Sequence, residues 1–233
     1  MATDIREPSL EIPPLRPGDR LTRAEFERRW EAMPQVKRAE LIDGEVIMPA
    51  AASSRHSGSH FDMIGWLAYY RYQTPGTEGH AEHSVRFDDS NEPQPDALLR
   101  IKESCGGRSR VDSEGYLDNG PELICEVALT SVAIDLGRKL HLYQRFGVQE
   151  YLVWRVADKI IDWFLLRNGR YERLVRSADR IFRSEVFPGL WLDADALTAD
   201  DSQRWLAIAQ RGLGSPEHAA FVAELRQRGG STI

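Results

Sequence analysis

The feature that most restricts this chain is an acid inside a short apolar run. Leu123, Ile124, Cys125, Val127, Ala128 and Leu129 surround Glu126. A continuous, partly β-branched run of this length reads as a strand covered on both faces. An ionised carboxylate is costly there unless a cation, a metal or a proton compensates it. Glu126 is therefore the first candidate for function, and the search becomes one for its partners.

The chain has 233 residues, 42% of them hydrophobic, enough for one principal domain with room for an appendage. No uncharged apolar run reaches the roughly 18 residues a membrane helix needs, and the N-terminus lacks a signal-peptide core. The expectation is a soluble, cytoplasmic protein. Cys105 and Cys125 fall in no metal-ligand spacing and read as reduced, non-catalytic thiols. A formal net charge of −6 argues against a protein that coats nucleic acid by long-range attraction, so any such contact must be local.

Residues 1–18 carry Pro8, Pro13, Pro14 and Pro17 and read as a flexible lead-in. Thr22 followed by Glu25 forms a capping box for a helix that stops before Pro34. The run from Glu40 to Met48 gives two strands joined at Asp43-Gly44, and Ser53 or Ser54 can cap a helix ending before Pro75. Glu82 to Asp88 and Pro95 to Ile101 are further strand candidates, with Asp96 and Leu98 on one face of the second. Residues 102–120 read as a long loop.

After the Glu126 strand, Ser131 is placed to cap a helix with the stripe Val132, Leu136, Leu140 and Tyr143, ending at Gly147. Lys139 falls about 60° from Leu136 on the helical wheel and can reach inward. The plainer alternative is a surface ion pair with Asp135, in the favourable order. Residues 149–156, 160–166 and 170–175 read as successive strands, with a turn at Asn168-Gly169, and residues 187–192 as a short closing strand. Two amphipathic helices follow, either covering the core or serving an oligomer contact.

Histidines at His56 and His60, and at His80 and His83, raise a zinc site. Neither pair has the clustering or diagnostic carboxylate that zinc sites show. Asp96, Glu126 and Lys139 make a better set. Two carboxylates on neighbouring strands suit a hard divalent cation that keeps several waters, and a lysine can orient water or offset charge at phosphorus.

The chain resembles the Uma2-type endonucleases of the PD-(D/E)XK nuclease-like superfamily. The resemblance rests on Glu40-Leu-Ile-Asp-Gly-Glu45, His56 opening a helix, Pro95-Asp96, Glu122-Leu-Ile-Cys-Glu126-Val, Asp135 through Lys139 to Tyr143, and Gly147-Val-Gln-Glu-Tyr151, in the family's order over roughly residues 20–197. It implies an α+β or α/β fold, a restriction-endonuclease-like mixed sheet flanked by helices, with a C-terminal helical extension. The corresponding division is 1–18 lead-in, 19–197 nuclease-like domain and 198–233 extension. It further implies Asp96 and Glu126 as metal ligands for Mg²⁺ or Mn²⁺, Lys139 as catalytic lysine, Glu40 as a supporting acid, and DNA cut through a metal-activated water. The lysine sits on the helix after the Glu126 strand, and Ala128 occupies its usual place. Two stretches depart from the family pattern, Leu129-Thr-Ser-Val132 and Leu152-Val-Trp-Arg155.

A second reading is a nuclease-fold protein that does not cut and instead binds nucleic acid or a protein. A third has Asp96 and Glu126 paired with buried arginine or lysine for structure alone. A homodimer would let two sites address both strands of a duplex.

Overall fold

The structure, a computed structural model, describes residues 12–48 and 54–230, with side chains from Ser57 onward in the second stretch. Helix α1 (Arg23–Glu31) starts where Thr22 Oγ1 accepts the Glu25 N–H, and it buries Phe26. Strands β1 (Glu40–Ile42) and β2 (Glu45–Ile47) form the anticipated hairpin, with Asp43 and Gly44 at φ 51° and 74°. Residues 12–18 are not a loose lead-in: Leu15 is buried with Phe26, Leu41 and Val46, and the Gly18 N–H donates to Val46 O. The remainder of that stretch, residues 1–11, lies outside the described residues.

Helix α2 (Ser54–Gln73) leads directly into β3 (Thr77–Ala81). That strand is hidden in the sequence, because after Thr77 the residues Glu78, Gly79 and His80 carry little β preference, and pairing with a neighbouring strand decides their state. The expected strand from Glu82 to Asp88 shrinks to β4 (Val85–Arg86), since Glu82 turns the chain at φ 50°. Strand β5 (Ala97–Ile101) follows Asp96. The 102–120 segment holds a 3₁₀ turn (Glu103–Cys105) and short strands β6 (Arg110–Val111) and β7 (Leu117–Asp118), which join β4 in a three-stranded sheet.

Strand β8 (Leu123–Ala128) is buried at every position. It continues into α3 (Val132–Ile134), a π-helical turn (Asp135–Lys139) and α4 (Leu140–Arg145). Strands β9 (Glu150–Arg155), β10 (Ile160–Arg167) and β11 (Arg170–Arg173) follow. The main sheet has the order β11-β10-β9-β8-β5-β3, antiparallel except for the β8–β9 pair. Its parallel step is bridged by the α3–α4 segment, as parallel pairing requires.

A ribbon of β12 (Phe182–Arg183) and β13 (Trp191–Leu192) leads to α5 (Ala194–Thr198), α6 (Ser202–Leu213) and α7 (Pro216–Gly229). One sheet face, with Leu99, Leu123, Cys125 and Leu152, packs under α2 and the C-terminal helices through Trp66, Ala209, Phe221 and Leu225. The opposite face, with Leu98, Ile124, Ala128 and Tyr151, packs against Leu142 and Tyr143 of α4 and Ile42 of β1. Alternation along β8 puts Glu126 on this second face.

Candidate active site

The antiparallel register pairs Ala97 with Cys125, so one further step sets Asp96 opposite Glu126. Asp96 lies just beyond β5, where its side chain takes over the role of a ladder acceptor: Oδ2 receives the Val127 N–H at 2.6 Å. Its backbone carbonyl accepts the Glu82 N–H at 3.1 Å and lies 2.8 Å from His60 Nε2 on α2. The two carboxylates read from sequence are thus neighbours on one face.

Lys139 joins them from the helix above. The wider π turn inserts an extra residue into the helical repeat, a feature that often marks functional sites. Lys139 ends fully inside, with Nζ 3.0 Å from Glu126 Oε1, 2.9 Å from Glu40 Oε1 and 3.7 Å from Asp135 Oδ1. The surface-pair alternative is therefore wrong, since Asp135 and Lys139 are 2% and 3% exposed. Ser131 also differs from expectation: it makes no capping bond to backbone, and its hydroxyl donates to Asp135 Oδ2 at 2.5 Å.

Glu40 enters from β1, and its Oε1 also accepts the Gln94 N–H at 2.7 Å. Tyr143, one helical turn beyond Lys139, donates its hydroxyl to Glu126 Oε1 at 3.0 Å. Arg38 donates through Nη1 to Asp96 Oδ1 at 2.7 Å and through Nη2 to Gln94 O at 2.9 Å. Arg38 and the buried state of Asp135 were missed in the sequence. Arg38 stands two residues before Glu40, on its side of the hairpin, but nothing local links it to Asp96, which lies 58 positions away.

The cluster holds four carboxylates, Glu40, Asp96, Glu126 and Asp135, against two cations, Arg38 and Lys139. Excess negative charge in a dry site favours a proton or a divalent cation. Burial raises the Glu126 pKa, opposed by Lys139 and reinforced by the neighbouring carboxylates. Burial likewise raises Asp135. Asp96 behaves oppositely: burial works against its charge, but the Arg38 guanidinium, the Val127 N–H and Lys139 outweigh it and hold the carboxyl below its usual range. Burial would lower Lys139, yet Glu126, Glu40 and Asp135 hold it well above the ordinary lysine range. With these carboxylates around it, Lys139 is an ammonium that donates.

The His80 and His83 rings are tilted against each other with centroids 4.8 Å apart, and His60 lies against the Asp96 carbonyl. Among the described residues, no three His, Cys, Asp or Glu side chains form a ready-made metal cage. The His56 side chain lies outside the described residues. Both cysteines are free, as expected, and Cys105 is buried along with Cys125. Of the two departures from the family pattern, Arg155 pairs with Asp158 and Asp162 rather than turning toward the cluster.

Comparison with known proteins agrees with this architecture. Residues 23–195 match the Uma2 family model, described as "Putative restriction endonuclease". Among solved structures, the chain is similar to a putative nuclease belonging to DUF820 from Anabaena variabilis ATCC 29413. The TM-score is 0.53 at 13% identity, over 73% of this chain and 97% of that one. No curated protein matches.

Proposed function

The chain belongs to the Uma2 family, and from that premise we propose that it is a metal-dependent endonuclease hydrolysing DNA phosphodiester bonds. The observation that carries the proposal is the convergence of Asp96, Glu126, Glu40 and Lys139 from two sheet strands, a hairpin and a helix into one buried cluster. The donor set fits Mg²⁺ or Mn²⁺: hard carboxylate oxygens, an excess of negative charge, and two protein ligands with water completing the shell. Asp96 and Glu126 would hold the ion. A bound divalent cation supplies Lewis-acid charge at the phosphate and lowers the pKa of water.

The chain's own residues supply the rest. Lys139 stays protonated and offers charge and N–H donors toward a phosphate oxygen or the attacking water. Glu40 also holds the ammonium, and Tyr143 fixes the Glu126 carboxylate. DNA would be bound locally at this end of the sheet, consistent with the acidic balance of the chain as a whole. A pair of chains related by a two-fold axis would serve both strands.

A second reading has a specific observation behind it. Asp96 and Glu126 already have cationic partners in Arg38 and Lys139, an arrangement that a non-cutting protein with the same fold could keep for structure alone. Plasmid nicking with Mg²⁺ or Mn²⁺ separates the two. The proposal requires nicking by the wild type that EDTA and Glu126→Ala each abolish. Nicking that survives both, or a folded wild type that never nicks with either ion, defeats it.

A further inference from the structure

Among the six charged groups of the cluster, five are sealed. The side chains of Lys139, Glu40, Asp96, Asp135 and Glu126 are all 4% exposed or less, whereas Arg38 is 22% exposed. Arg38 is thus the member between the cluster and solvent. It holds one oxygen of the proposed metal ligand Asp96, while the other oxygen is tied to the Val127 N–H. That amide belongs to a ladder strand and cannot move without breaking the sheet. Arg38 sits before β1 on a long, flexible stem and can move.

Its bonding is also incomplete. Nη1 and Nη2 are used, but the buried Nε has no hydrogen-bond partner. A buried donor without an acceptor is costly, which lowers the net cost of moving the side chain out of this pose.

We propose that Arg38 is a positioning residue for Asp96: it holds the carboxylate in place as a counter-ion in the metal-free protein and yields Oδ1 to a divalent cation on loading. This rests on the proposed metal-dependent function, and it adds a competition between a side chain and the ion for one oxygen. Two cations on the same buried oxygen repel each other, so arginine and metal compete for it. Removing the guanidinium should leave Asp96 worse held without metal and better able to bind it.

The test is calorimetric titration of Mn²⁺ into wild type, Arg38→Ala, Arg38→Gln and Asp96→Asn, with melting curves in EDTA and in saturating Mn²⁺. Arg38→Gln keeps an amide donor for Asp96 while removing the charge, so the test survives if Arg38→Ala does not fold. The expected result is Mn²⁺ binding at least fivefold tighter in both Arg38 variants. Their melting temperatures should be lower than wild type in EDTA and should rise more than wild type on adding Mn²⁺. Asp96→Asn should bind weakly or not at all. A merely structural Arg38 would instead weaken Mn²⁺ binding. If wild type binds Mn²⁺ and the folded variants bind no tighter, the role of Arg38 is overturned alone. If folded wild type binds no Mn²⁺, the metal-dependent reading falls and takes this one with it.

Discussion

Lys139 reaches Glu126 at 3.0 Å from thirteen positions downstream, crossing from helix to strand, and the same Nζ lies 2.9 Å from Glu40 on the hairpin. One ammonium therefore links three parts of the fold, and it does so among buried side chains. Breaking such a group is expected to act on stability and chemistry together.

Lys139→Met should cost about 3–5 kcal/mol, because it leaves Glu126, Glu40 and Asp135 buried without their shared cation. Urea unfolding in EDTA measures this. Nicking should fall by about two to three orders of magnitude if the ammonium stabilises charge on the reacting phosphate. A variant as stable and active as wild type would remove Lys139 from the site.

Tyr143→Phe should be mild. Glu126 Oε1 loses one of its two donors and keeps Lys139, which predicts about 1 kcal/mol by chemical denaturation. Nicking should fall less than tenfold. A loss as large as that of Lys139→Met would show that the hydroxyl takes part in the reaction rather than in holding the carboxylate.

Glu150 gives the chain a pH dependence away from the site. Burial pushes this carboxyl up to about 7, partly offset by donors from Ser184 Oγ and the Glu185 and Val186 amides. Its folded pKa therefore exceeds the unfolded value near 4.5. The resulting stabilisation is full below the unfolded pKa and is lost as pH rises through 7, a change of about 3 kcal/mol. Urea midpoints at pH 5 and pH 8 should differ less in Glu150→Gln than in wild type.

Gly189→Ala tests how the C-terminal helices are fastened. Gly189 sits at φ 88°, and an added Cβ would lie 2.6 Å from His218 Cβ and 2.9 Å from Gly212 O. Neither the α7 side chain nor the α6 backbone can yield cheaply. The substitution should destabilise by about 3 kcal/mol or more and expose α6 and α7 to protease. An unchanged melting temperature would mean that these helices are not packed as described.

Much of this protein is set by local sequence. The Thr22 cap, the turns at Asp43-Gly44 and Asn168-Gly169 and the apolar run around Glu126 act over a few residues, so each was legible before the chain was folded. Asp96, Glu126 and Lys139 could likewise be picked out, two of them as acids in or beside strands and one as a lysine at the edge of an apolar stripe, whereas Glu40 was marked only by the resemblance to the family. Their mutual distances could not. Tertiary structure alone places Arg38 on Asp96, because that pair joins positions far apart through side chains with no periodic signature. It alone makes Thr77–Ala81 a strand, since pairing with β5 overrides weak propensity. The π turn that carries Lys139 belongs to the same class: a helical wheel assumes a regular repeat, and this turn departs from it within a cluster whose carboxylates come from three separate elements.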